Sequence, residues 1–375
     1  MTSSTSLSRK VAGIVWAVAL LCGACGAVKE TQRTAPPPRE AGLPVAVLPI
    51  ENLSGGPAPL RELRGLLVRS LEERGFRVLD DGALEAFMTR HRIRYTGGVD
   101  QEVAQAFRKE TGAEGVLITS LELYSEDAPP KISLTSRLVS TGDTPRILWI
   151  DGVGLAGDDA PGLLALGLIE DPAILAGKAV ETLATSLGRG LAGGEAGKEE
   201  LKSTKGKFRP KIAFRSDTFE PQKKQIVAIV PFLNRSGRRY AGEIMALTFA
   251  KSLWPFEGFE IIDPGVVRSQ LLALRVIMGE GISLGQSESV LALLSADLVL
   301  TGKVIDYQDY VGGVGTPKVD FSVQLIERRS RRVVWSSVSY NQGDDGVVFF
   351  DWGRVNTAEA MASQMVRAVG EAVLK

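Results

Sequence analysis

The chain has 375 residues, and its 44 Lys and Arg equal its 44 Asp and Glu, so no global charge draws it to nucleic acid or to an anionic membrane surface. Its single histidine argues against Ser-His-Asp, Cys-His and most zinc arrangements, and its hydrophobic content of 44% over this length is enough for two real cores.

The first element is an export signal. Arg9 and Lys10 precede an apolar run, Val11 to Leu21, which leads directly into Cys22-Gly23-Ala24-Cys25-Gly26. Eleven residues of helix reach roughly 16 Å at about 1.5 Å per residue, too short for a bilayer core of about 30 Å. Residues 1–24 therefore read as a bacterial signal peptide. The segment resembles a lipobox, which implies acylation of Cys25 as the lipid attachment residue; Cys22, standing where Leu is usual, is the alternative acceptor. Gly26 after the acceptor, in place of Asp, points to the outer rather than the inner membrane. No cysteine follows, so the exported portion has no disulfide and its stability must come from core burial. Residues 25–43, with Pro36-Pro37-Pro38, read as a tether.

From Val45 the chain reads Val-Ala-Val-Leu-Pro-Ile-Glu-Asn-Leu-Ser-Gly, and from Val227 it reads Val-Ala-Ile-Val-Pro-Phe-Leu-Asn-Arg-Ser-Gly. Pro49 matches Pro231 at a spacing of 182, Asp80 matches Asp263 at 183, and Trp149 matches Trp335 at 186. The repeat predicts two complete copies of one domain, 44–192 and 225–375, joined by a flexible basic linker at 193–224. Each unit opens with an apolar run ended by Pro, which predicts a central strand. Leu60, Leu63, Leu67 and Leu71 then form one face of a helix, as do Ile244, Leu247 and Trp254 in the second copy. A short strand follows and ends at Asp80 or Asp263, each suited to cap the next helix; Pro264 strengthens the second case. Asp100 and Ser283 are placed to cap a third helix. Three strands come next, near 115–124, 132–139 and 147–155, with counterparts at 298–307, 318–327 and 333–340. A final helix, 172–187 or 358–374, closes each unit. The predicted class is α+β: two similar sandwich domains, each a mixed sheet covered by helices.

Chemistry is sparse. His91 lies in Arg90-His91-Arg92 at the end of a helical stripe and reads as a surface residue. Gly312-Gly313-Val314-Gly315 lies between strands, where a hairpin turn explains it better than a phosphate loop. The repeated Gly-Asp-Asp at Gly157 and Gly343 pairs carboxylates but suits a turn followed by helix capping, and Asn52 and Asn234 suit turns as well. No cofactor, metal or catalytic residue is expected. Features confined to one copy are better functional candidates: Phe349, Phe350 and Trp352 read either as an exposed partner-docking patch or as core, and Trp254-Pro255-Phe256 has the same two readings.

The motifs Val45 to Gly55, Gly75 to Asp80 and Ala113 to Thr119, with copies at Val227 to Gly237, Gly258 to Asp263 and Ala296 to Thr301, resemble the periplasmic lipoprotein superfamily containing CsgG, LpoB and the N-terminal domain of TolB. The resemblance implies an anticodon-binding-domain-like fold in each copy. It also implies a non-catalytic envelope lipoprotein, outer-membrane-anchored and facing the periplasm, that binds and supports a protein machine. The alternative is a subunit of a CsgG-like oligomeric secretion channel. Such a channel needs hairpins with a clean lipid face. In the best candidate, Val299 to Glu327, charged residues fall on both parities. The expected partners are envelope proteins and the membrane, with a homo-oligomer possible and no nucleic acid.

Overall fold

The first apolar run becomes β1 (Pro44–Val47), which lies between β3 (Arg77–Val78) and β4 (Gly115–Ser125) and parallel to both, while β2 (Glu51–Asn52) pairs with β4 further along. An antiparallel meander of β5 (Lys131–Ser140) and β6 (Ile147–Ala156) completes the order β3-β1-β4-β5-β6. A strand with neighbours on both edges and cover on both faces is apolar throughout, which is why Val45, Ala46, Val47 and Leu48 are all buried. The computed structural model describes residues 42–159, 167–192, 207–276, 282, 284–310, 315–347 and 353–374.

Four helices flank this sheet: α1 (Leu60–Glu73), α2 (Asp81–Arg90), α3 (Gln101–Thr111) and α4 (Pro172–Leu191). The leucine stripe of α1 joins Leu175, Ala179 and Leu183 of α4 over Val47, Leu134 and Trp149 on one face. On the other face α2 and α3 bring Leu84, Phe87 and Phe107 onto Ala46, Val116 and Ile118. Asp80, Asp100 and Asp171 each accept from free amides at a helix start, those of α2, α3 and α4 respectively.

The second half is led by β7 (Ile212–Arg215). Then β8 (Gln225–Ile229) lies parallel between β10 (Phe259–Ile261) and β11 (Leu298–Gln308), with β9 (Leu233–Asn234) pairing β11. β12 (Lys318–Glu327) and β13 (Arg332–Gln342) complete the order β10-β8-β11-β12-β13-β7. Its helices are α5 (Ala241–Leu253), α6 (Pro264–Ala273), α7 (Leu284–Leu293) and α8 (Ala358–Leu374). α5 and α8 bury Ile244, Phe249, Met361 and Met365 against Leu300, Phe321 and Trp335. On the opposite face α6 and α7 cover Ala228, Val230 and Val299. The fold is thus α+β, two mixed sheets each flanked by helices, as the strand and helix patterns predict.

The stretch read as a flexible linker, 193–224, departs from that expectation over its second part. β7 pairs antiparallel with β13 from Arg215 opposite Trp335 to Ile212 opposite Val338, and Phe208 and Phe219 are buried. Four residues among Lys, Arg and Pro are too short to show a strand pattern. They are strand because the free edge of β13 supplies the backbone partners. Residues 41–375 form one compact unit. Among the described residues, no helix is long and apolar enough to cross a membrane.

Candidate partner-docking surface

Cys25 and Cys22, and the aromatic segment with Phe349, Phe350 and Trp352, lie outside the described residues. The repeated polar residues are turn devices. Asn52 Oδ1 accepts from Ser54 N at 3.0 Å and Asn234 Oδ1 accepts from Ser236 N at the same 3.0 Å, while their amides donate to the carbonyls of Gly56 and Arg238. Asp159 accepts from Ala156 N at 2.7 Å and Asp345 from Gln342 N at 2.9 Å, so Gly-Asp-Asp holds a turn in each half. The helix-capping part of that expectation is corrected for the first half, where Asp171 caps α4. His91 packs on the Phe87 ring with Nε2 2.7 Å from Glu110 Oε1, and among the described residues no acidic, His and Cys cluster could hold a metal. Trp254 and Phe256 are half-buried and pack against the second half's core: the Trp254 indole donates to the Ile147 carbonyl at 3.1 Å, and the Phe256 ring stands edge-on to Phe259.

The halves meet where α5 and α8 lie across β6. On that face β6 presents Gly152 and Gly154. A Cβ at Gly154 would stand 2.5 Å from Glu359 Oε2 and 2.7 Å from Thr357 Oγ1, and one at Gly152 would stand 2.7 Å from Lys251 Nζ. Two missing side chains therefore admit the helix pair to the sheet. Lys251 Nζ lies 2.6 Å from Glu359 Oε1, and Asp309 accepts from Ala358 N at 2.6 Å, capping α8. Burial lowers the affinity of Lys251 for its proton, but the Glu359 carboxylate outweighs it and the net shift is upward. Beside this pair Glu122, 1% exposed, is the bulged residue between Leu121 and Leu123, and neither carboxylate oxygen has a hydrogen-bond partner. Burial and then the Glu359 charge push its pKa up to about 8, so it is mostly neutral at pH 7. Arg238 spans the seam and donates to the carbonyls of Ser54 and Glu122.

A second buried charge cluster lies further along the seam. Arg137 on β5 has Nε 2.7 Å from Asp263 Oδ2 and Nη2 2.6 Å from the Gly97 carbonyl, and both side chains of the ion pair are 0% exposed. Asp263 also accepts from Gly265 N at 2.7 Å, so one carboxylate caps α6 and fastens it to the first half. Its counterpart Asp80 caps α2 in solvent.

The corresponding face of the second sheet is different. Where Ser120, Thr135 and Gly152 lie in register in the first sheet, Lys303, Ser322 and Val338 do so in the second; where Ser133 faces Gly154, Asp320 faces Tyr340. Both glycines are thus replaced by bulky side chains. The bulge recurs, and its extra residue is Ile305, 45% exposed. Tyr340 is 56% exposed, Ile212 64% and Phe214 51%. Lys211 Nζ lies 5.0 Å from the centre of the Tyr340 ring, a cation–π contact. A groove of about 320 Å³ runs along this surface, lined in part by Ile212, Leu233, Ile282, Ser322 and Val338. Among the described strands β7 ends the sheet, so its outer backbone edge is free to pair. The arrangement offers apolar contact and backbone hydrogen bonding side by side, and no reacting group.

The fold and this surface define an α+β protein with two helix-flanked mixed sheets, one of them bearing a strip that is uncovered among the described residues. No protein-family model matches the chain, and none of the curated proteins matches it. Among solved structures, it is similar to the PelC dodecamer from Paraburkholderia phytofirmans, with 17% identity, a TM-score of 0.31 and coverage of 42% of this chain and 91% of that one. It is also similar to a lipoprotein from Neisseria meningitidis, with 18% identity, a TM-score of 0.29 and coverage of 38% and 98%. For the LpoB C-terminal domain from Salmonella enterica the values are 14% identity, a TM-score of 0.27 and coverage of 34% and 87%.

Proposed function

We propose that this protein is a non-catalytic envelope lipoprotein, anchored through Cys25 to the outer membrane and facing the periplasm, that binds and supports a protein machine through two duplicated domains. The observation that carries the reading is the asymmetry between equivalent sheet faces. The first is consumed by the seam within the chain. The second keeps Ile212, Ile305 and Tyr340 exposed beside the free edge of β7. A protein segment that adds a strand to β7 and lays apolar side chains on Tyr340 and Ile305 fits both features.

A photo-crosslinking residue in place of Ile305, activated in the native cells, is expected to capture one defined envelope protein, and Tyr340→Glu is expected to abolish the adduct. Adducts that persist in Tyr340→Glu would remove this face from the reading. A homo-oligomeric ring stable in detergent, recovered as the only adduct, would favour the secretion-channel alternative. For the anchor, Cys25→Ser is expected to leave the detergent-extracted membrane fraction; complete retention there would defeat the lipid assignment. Deleting 346–352 tests the aromatic segment. A lost adduct with an unchanged melting transition makes Phe349, Phe350 and Trp352 a docking patch, and a lost transition makes them core.

A further inference from the structure

At the end of the second sheet, where β12 turns into β13, an open cleft of about 1170 Å³ runs between that turn and the segment leading into β8. Lys223, Lys224, Arg328, Arg329 and Arg332 line it, and all five are exposed. Among the described residues none of them forms an ion pair, although three carboxylates, Glu220, Asp297 and Glu327, also line the cleft. Asp297 is occupied in accepting from Ile226 N at 2.9 Å. Five cations against three carboxylates, none of them paired with those cations, leave a net positive cleft that favours an anionic ligand, and the arginine forks suit carboxylate or phosphate.

Three further observations narrow its chemistry. Gln225 lines the same cleft at 8% exposure, and its Oε1 has no hydrogen-bond partner, so a buried acceptor there needs a donor. Ser216, Thr218 and Ser330 add hydroxyls to the wall, and the half-exposed Phe214 ring gives an apolar platform. The volume exceeds the roughly 300–1,000 Å³ of small-molecule pockets, which suits an extended ligand of several units. A nucleic acid does not fit as well, because one aromatic ring cannot stack successive bases.

We propose that this cleft binds an anionic oligosaccharide, its acidic groups pairing with the Arg and Lys side chains and a sugar hydroxyl donating to Gln225 Oε1. The site adjoins the Tyr340 surface through Phe214 and gives the protein a second class of ligand. The test is calorimetric titration of the full chain in detergent with hexameric oligogalacturonate, with maltohexaose as the neutral control of equal length. Saturable, salt-sensitive binding of the acidic hexamer alone is expected. Arg328→Glu combined with Arg329→Glu, both on the exposed turn, should weaken it by about tenfold or more, and Gln225→Ala by about threefold or more. Equal binding of maltohexaose, no saturable binding of the acidic hexamer, or unchanged affinity in the double charge reversal would overturn the proposal. Binding confined to phosphatidylglycerol vesicles would likewise replace the saccharide with a lipid surface.

Discussion

The bulge on β4 and the bulge on β11 sit at the same place in their sheets, yet they carry opposite chemistry in opposite surroundings. Glu122 is buried without hydrogen-bond partners, and Ile305 stands in solvent. A reading by polarity alone would exchange them. The difference teaches that the first sheet's face is an interior made from strand residues that look like surface: Ser133, Thr135, Arg137 and Glu122 are buried because the second half's helices and the Asp263 loop lie on them. Among the described residues the second sheet's face has no such cover, and Ile212, Phe214, Ile305 and Tyr340 stand exposed on it.

That comparison breaks most strongly at the buried ion pair. Arg137→Ala leaves Asp263 charged and unpaired, with an expected loss of about 3–5 kcal/mol in urea unfolding, whereas Gln324→Ala at the register-equivalent position is expected to cost less than about 1 kcal/mol. Next comes the exchange of side chains between the sheets. Gly154→Tyr, which imports the residue found at 340, drives a side chain into Glu359 and Thr357 and should cost about 3 kcal/mol, while the reverse exchange Tyr340→Gly costs about 1 kcal/mol through strand propensity.

A smaller effect follows from Glu122. Its pKa rises from 4.5 unfolded to about 8 folded, so between these values the folded chain holds a proton that the unfolded chain has released. Stability therefore falls as pH rises from about 4.5 to about 8, and Glu122→Gln should remove that slope. The expected readout is an unfolding free energy from urea titrations that falls between pH 5 and pH 8 in the unsubstituted protein and falls less in Glu122→Gln. Parallel slopes for the two proteins would show that Glu122 titrates normally. Smallest in stability is Ile305→Glu, which copies the first sheet's bulge residue onto the open face. It should change unfolding by no more than about 0.5 kcal/mol, yet under the proposed function it should weaken partner capture.

Much of the architecture was legible before folding was considered. Leucines at three- and four-residue steps marked α1, three successive strand stretches joined through Pro, Gly or Arg-Ser-Arg marked the meanders, and Asp80, Asp100 and Asp263 were recognisable as helix caps because capping is a local bond. The candidate surface was not legible. Ile212 sat in a basic stretch, and Ile305 and Tyr340 looked like ordinary strand residues, since alternation distinguishes two faces without saying which is covered. One signal was available: aligning the copies through their strands sets Gly152 and Gly154 against Val338 and Tyr340. The exchange of glycine for bulk on a single face marks where a helix can approach.

By itself the sequence determined the order and kind of elements in each half, because periodicity, capping and proline placement act within a few residues. It also determined the absence of thiols after Cys25 and the balance of charge. Only the tertiary structure decided which sheet face became interior, why Asp263 is buried while Asp80 is solvated, and that β7 extends the second sheet. Those outcomes depend on groups more than a hundred positions apart: Arg137 and Asp263 meet only after the halves have docked, and β7 meets β13 only once the second sheet has assembled.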